Sequence, residues 1–184
     1  MPDASQQDLT HHLAGCAQGD NKALERLYRA SSAHLYAQLL RILRDESAAQ
    51  DCLQQVFIRI WNAAGQYDAS RAKPMTWLST LTRNIGIDWL RRQKPQDATD
   101  TEPLLETLTG EQDPEADSMS GQHADHLRDC LDTLSPPQRQ ALEMVYFQGL
   151  THSELADTLT QPLGSVKSWI RRGLERLKTC LTGI

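Results

Sequence analysis

Apolar residues recur along this 184-residue chain at intervals of three and four, never in strict alternation, and neither β-branched runs nor Asn-Gly turns appear. The pattern predicts an all-α protein. Leu9, Leu13 and Cys16 make a short helix stopped by Gly19, after which Asp20 or Asn21 caps a second one with Leu24, Leu27, Tyr28, Leu35, Leu39, Ile42 and Leu43 on one face. Asp45 caps a third helix, whose Leu53, Val56, Phe57, Ile60, Trp61 and Ala64 follow helical spacing until Gly65 ends it. A polar loop from Gln66 to Pro74 leads into a fourth helix with Leu78, Leu81, Ile85 and Trp89 inward. Its cationic end, Arg91-Arg92-Gln93-Lys94, suits the helix macrodipole.

Beyond a long interruption the helical pattern resumes through Leu127, Leu131 and Leu134. Ser135-Pro136-Pro137-Gln138 then reads as an N-cap with Pro at N1 and Gln at N3, opening a helix through Leu142, Val145 and Tyr146 that stops at Gly149. Thr151-His152-Ser153-Glu154 is a second capping box; it starts a short helix through Leu155, Ala156 and Leu159 that breaks at Gln161-Pro162-Leu163-Gly164. A last amphipathic helix runs from about Ser165 to Leu181. A short capped helix, a tight turn with Gly and a longer helix with cationic exposed positions have the form of a helix-turn-helix. Val166, Ile170, Leu174 and Leu177 supply the apolar back of the last helix, and Ser165, Lys167, Ser168, Arg171, Arg172 and Arg176 its outward face. Arg, Lys and Ser there are the side chains that meet base edges and phosphates, although such a run is also the solvated face of many surface helices.

Charge sharpens the division. The net charge of −5 hides an asymmetry: residues 1–94 carry 12 Lys/Arg against 9 Asp/Glu, residues 95–126 none against 9, and residues 127–184 carry 7 against 6. The middle segment, with Pro95, Pro103 and Pro114 among its acids, is too polar to bury a core and reads as a flexible acidic linker between two helical domains, 1–94 and 127–184. The overall composition is that of a soluble globular protein. No signal peptide or membrane span is visible, so a cytoplasmic protein without direct membrane insertion is expected.

Four widely spaced cysteines without a CxxC argue against a disulfide scaffold or structural zinc, and free thiols are the expectation. Cys130 and Cys180 lie near the two ends of the second domain, so their helix ends can approach and allow a reversible disulfide, a redox pair. His11, His12 and Cys16 share one helix but have no fourth ligand, and surface histidines are the better reading. No metal, cofactor or catalytic constellation is expected. On the third helix Asp51, Gln54, Gln55, Arg59 and Asn62 face outward, and Ile58 joins them. An apolar residue among exposed polar ones suits a partner-docking patch, as it also suits an ordinary wet face.

Both predicted domains carry a family resemblance. Leu134-Ser135-Pro136-Pro137-Gln138-Arg139 through Tyr146-Phe147-Gln148-Gly149-Leu150-Thr151, then Glu154-Leu155-Ala156 and Leu163-Gly164-Ser165-Val166-Lys167-Ser168, resemble region 4 of bacterial extracytoplasmic-function (ECF) sigma factors. Gln50 to Trp61 resembles region 2.2, and Trp77 to Arg92 resembles regions 2.3 and 2.4, in the same order along the chain. The resemblance implies a two-domain initiation factor without catalytic chemistry of its own. Its region 2 domain would bind core RNA polymerase through Asp51, Gln54, Gln55, Ile58 and Arg59. The same domain would open the single-stranded minus-10 element and hold an unpaired base with Arg71, Lys73, Arg83, Asn84, Asp88, Arg91 and Arg92. Its region 4 helix-turn-helix would read the duplex minus-35 element with Ser165, Lys167, Ser168, Arg171, Arg172 and Arg176. The linker would thread the polymerase near the RNA exit path.

The departures from the family pattern are local. Gln50 and Gln55 stand where acids are common, Ala72 where Gly is common, and Trp169 where a basic residue is common. The run from Val166 to Leu174 resembles a sub-branch held by membrane-anchored anti-sigma factors, which implies such a partner. Trp169 is then a partner anchor or plain packing. Trp77 and Trp89 stack on bases or, as their place in the apolar stripe suggests, belong to the core.

Overall fold

The computed structural model describes residues 4–94 and 121–183, which divide into two units at Lys94. Among the described residues there are eight α-helices and no strand, so the expected all-α class holds. The segment read as an acidic linker lies outside the described residues up to residue 120; its last part does not, because a helix already begins at Gly121, six residues before the expected boundary. The helical pattern there is carried by few apolar residues, and the acidic composition masked it.

The first unit holds α1 (Ala4–Ala17), α2 (Asn21–Leu43), α3 (Glu46–Ala63) with a short 3-10 turn at Ala64–Gln66, and α4 (Pro74–Gln93). Their starts are chemical. The Asp20 carboxylate accepts from the Lys22 amide at 2.9 Å and the Asp45 carboxylate from the Ala48 amide at 2.7 Å, meeting amide donors that have no partner inside their helices. The core is built from Leu9 and Leu13 of α1, Leu27, Leu35 and Leu39 of α2, Val56 and Ile60 of α3 and Leu78 of α4, all buried. Tyr28, expected inward, is 47% exposed, with its ring 4.7 Å from that of Phe57.

In α4 the buried stripe is shifted from the expected one. Met75, Leu78, Thr82, Gly86 and Ile87 are buried, whereas Leu81, Ile85 and Trp89 are only half-buried. The helix turns small residues toward α2: a Cβ on Gly86 would meet Leu39 Cδ2 at 3.2 Å and Ile42 Cγ2 at 3.4 Å, and small residues do not register in an apolar count. Gln38 of α2 fastens the same contact by donating to the Ser79 carbonyl at 2.9 Å.

The second unit holds α5 (Gly121–Asp132), α6 (Pro136–Gln148), α7 (His152–Leu159) and α8 (Leu163–Thr182). Ala141, Val145, Leu150, Leu155, Val166 and Ile170 form its core, with Leu142, Trp169 and Leu174 packed against it. The expected stops are in place, for Gly149 caps α6 at φ 62° in the left-handed region where glycine is unstrained. The thiol expectation is corrected: Cys130 of α5 and Cys180 of α8 form a disulfide, their Cα atoms 5.8 Å apart, and only Cys16 and Cys52 are free. Spacing along a sequence carries no such distance. Helix packing supplies it.

Candidate functional site

In the first unit, α3 presents Asp51, Gln54, Gln55, Ile58, Arg59 and Asn62 to solvent, and Ile58 is 64% exposed in the middle of that polar set. The expected docking residues therefore share one open face. Across from them α4 exposes Asn84 and Asp88, and the two helices enclose an open cleft of about 690 Å3. Gln55, Ile58 and Arg59 line one side and Asn84 and Asp88 the other, with Trp77, Leu81 and Ile85 supplying an apolar lining. The sequence placed Leu81 and Ile85 in the core. Because the buried stripe of α4 is rotated onto its small residues, these two walls are left for the cleft, which joins residues assigned separately to polymerase and to minus-10 DNA.

The other minus-10 candidates scatter. Arg92 is exposed at the end of α4 and Arg91 half-buried, while Arg71 is exposed in the α3–α4 loop and Lys73 half-buried at the start of α4. Arg83 departs from the expectation: it is 5% exposed and belongs to the buried side of α4, not to its polar flank. The loop itself is fastened from within. Asp68 accepts from the Ser70 hydroxyl at 2.6 Å and the Ser70 amide at 2.9 Å, and the Tyr67 hydroxyl donates to the Ala72 carbonyl at 3.0 Å. The bonds from Ser70 hold the Asp68 carboxyl below the usual carboxylate range. Tyr67 also stacks at a tilt on Trp77, ring centroids 5.6 Å apart, so the loop is braced against the cleft.

In the second unit the helix-turn-helix is built as its caps require. The Thr151 hydroxyl accepts from the Glu154 amide at 3.2 Å, and the Glu154 carboxylate accepts from the Thr151 amide at 3.0 Å. The turn passes through Thr160, which sits at φ 53°, so a β-branched residue occupies the left-handed region. On α8, Val166 and Ile170 are buried and Leu174 and Leu177 half-buried, which is the expected back. Lys167, Arg171, Arg172 and Arg176 are exposed, and Ser165 and Ser168 half-buried. Lys167, Arg171 and Arg172 make no ion pair within the described residues. Arg176 is anchored instead, donating from Nη1 to the Thr133 carbonyl at 3.1 Å. That bond ties α8 to the segment after α5 and gives Arg176 a structural task.

The cysteines and histidines sort by burial. Cys16 and Cys52 are buried, and desolvation, with Asp20 and Asp51 nearby, pushes both thiols up. Burial lowers the pKa of His12, opposed by Asp8. The sequence missed a different group: His126 of α5 lies beside Cys130 and Cys180, all three ligand atoms within 4.8 Å of one another. Its one legible trace was the i, i+4 spacing of His126 and Cys130.

Comparison with known proteins finds matches to both units. The family profile for Sigma-70 region 2 matches residues 27–96 and that for Sigma-70 region 4 matches residues 125–177. The chain is 30% identical over 177 residues to the ECF RNA polymerase sigma factor SigK of Mycobacterium sp. (strain KMS), covering 95% of this chain and 91% of that one. To the SigK of Mycobacterium ulcerans it is 29% identical over 181 residues, 98% of this chain and 97% of the other. Among solved structures it is similar to Rhodobacter sphaeroides SigE in complex with the anti-sigma ChrR, at 26% identity and a TM-score of 0.48, over 92% of this chain and 98% of that one. Two region profiles in order and a near full-length relative place it: the chain belongs to the ECF sigma factors of RNA polymerase.

Proposed function

We propose a division of labour between the two units. The α3 face of Asp51, Gln54, Gln55, Ile58 and Arg59 docks core RNA polymerase. Asn84 and Asp88, with Arg71, Lys73, Arg91 and Arg92 around them, hold the opened minus-10 strand. The outward face of α8, with Ser165, Lys167, Ser168, Arg171 and Arg172, reads the minus-35 duplex. Arg83 and Arg176 act on the same functions from behind, as packing and positioning residues. The carrying observation is Ile58: an isoleucine 64% exposed at the centre of a polar face is the profile of an interface anchor.

The cleft supports the same reading, since a partner seated on α3 there also borders Asn84 and Asp88. Docking and strand capture would then share one wall. The chain works in the cytoplasm; among the described residues no helix is long and apolar enough to cross a membrane. Its restraint comes from an anti-sigma factor, itself membrane-anchored, that covers the polymerase-docking face.

The test mixes the purified chain with sigma-free core polymerase and a library of promoter fragments, and scores co-elution and run-off RNA. Ile58→Glu is expected to lose co-elution, since a central interface anchor is worth about 2 kcal/mol or more, some thirty-fold in affinity. Arg171→Ala keeps co-elution but loses promoter-dependent RNA about ten-fold, and lowers the salt slope of duplex binding by about 1. Specific duplex binding by the free chain, with neither RNA nor co-elution, would instead mark a stand-alone DNA-binding regulator.

A further inference from the structure

The second unit contains a set of metal-binding side chains that promoter recognition does not use. His126 and Cys130 lie one helical turn apart on α5, Nε2 and Sγ separated by 3.8 Å, and Cys180 enters from α8. The three ligand atoms fall within 4.8 Å of one another. Cys130 is fully buried, while His126 and Cys180 are half-buried, so the group is shielded yet open on one side. Among the described residues no carboxylate belongs to it. Two sulfurs and an imidazole, without a hard oxygen ligand among the described residues, select a thiophilic divalent ion over calcium or magnesium.

We propose that His126, Cys130 and Cys180 form a zinc site in the reduced protein, and that this site and the Cys130–Cys180 disulfide exclude each other. Zinc binds thiolate at about 2.3 Å and imidazole at about 2.0–2.1 Å in a tetrahedral arrangement, which sets sulfurs roughly 3.8 Å apart and sulfur and nitrogen roughly 3.6 Å apart. The His126 Nε2 to Cys130 Sγ distance is already close to the second value. Once the sulfurs are no longer bonded, they separate to about van der Waals contact, which is close to the first. Small side-chain rotations at helix positions already in register are therefore enough. Among the described residues three ligands are supplied, which leaves the fourth tetrahedral position to water.

The exchange balances. A dithiol reductant supplies two electrons and two protons to the disulfide and becomes a disulfide itself, leaving two thiols; zinc then binds both as thiolates, with release of two protons. In the reverse direction hydrogen peroxide takes two electrons from the two zinc-bound thiolates, consumes two protons and leaves as two waters, while the sulfurs join and the zinc departs. Either linkage ties the first helix of this unit to its last. The reduced, metal-free chain is the one state without that tie.

Cobalt(II) alone is the probe, because thiolate ligation gives a charge-transfer band in the near ultraviolet and tetrahedral geometry gives intense visible bands. The full chain, reduced with a phosphine and handled without oxygen, is expected to take up one cobalt per chain with both signals, and zinc to displace it. The oxidised chain shows neither. Cys180→Ala abolishes the charge-transfer band, and the Cys16→Ala/Cys52→Ala variant keeps it unchanged. His126→Ala weakens uptake by more than the roughly 10- to 100-fold that outer-shell partners of a ligand are worth. That variant retains both cysteines, and formation of its disulfide on oxidation reports that the unit is folded. Absence of the band in the reduced chain, its persistence in Cys180→Ala, or unchanged affinity in His126→Ala would overturn the assignment.

Discussion

Gly15 sets how closely α1 and α2 approach. A Cβ placed on it would lie 2.5 Å from the Cβ of Ala23, an atom fixed to its own backbone, so the helices would have to move apart. Overpacking of this kind costs about 1–3 kcal/mol, against about 1 kcal/mol gained in helix propensity. Gly15→Ala should therefore lower the stability of the first unit by up to about 2 kcal/mol in urea titration, and adding Ala23→Gly should recover part of the loss by restoring the space. Single residues were unevenly legible in the sequence. Ile58 was visible because it interrupts a polar run. Arg83 was not, because a charged residue beside Asn84 and five residues before Asp88 reads as surface, and only the packing shows its long side chain turned inward. His126 was missed because its partner Cys180 lies on another helix.

At the scale of the element, start signals were more legible than buried faces. Asp45 and Thr151 are legible as caps, and Asp20 as one of two candidates beside Asn21, because cap chemistry is local: a side-chain oxygen and an amide two or three residues on. The phase of α4 needed its neighbours. That helix packs on α1, α2 and α3 together, and its buried side follows Thr82 and Gly86 rather than the larger apolar residues. The helix α7 depends most on its cap, since its eight residues are too few to hold helical shape unaided. Thr151→Ala should cost about 1 kcal/mol and lower the melting temperature of the second unit, with Thr151→Ser retaining most of the stability. An unchanged melting curve in Thr151→Ala would show that packing of Leu155 and Ala156 alone sets the helix.

At the scale of the whole chain, the two helical units were legible from charge and periodicity, and the covalent link inside the second was not. The Cys130–Cys180 bond spans a sequence separation of 50, for which the loop-entropy model gives about 4 kcal/mol of stabilisation. Reductant with a chelator present should therefore lower the melting of the second unit and leave that of the first in place, because Cys16 and Cys52 carry no such link. Calorimetry with and without reductant checks it. The same bond has a topological consequence. The helix-turn-helix lies within a closed covalent ring that passes from Cys130 through the exposed turn at Gln161 to Cys180 and back across the sulfurs. A protease that nicks the turn opens the ring without dividing the molecule, so the oxidised chain runs as a single band on a denaturing gel and falls into two pieces only when the sulfurs part.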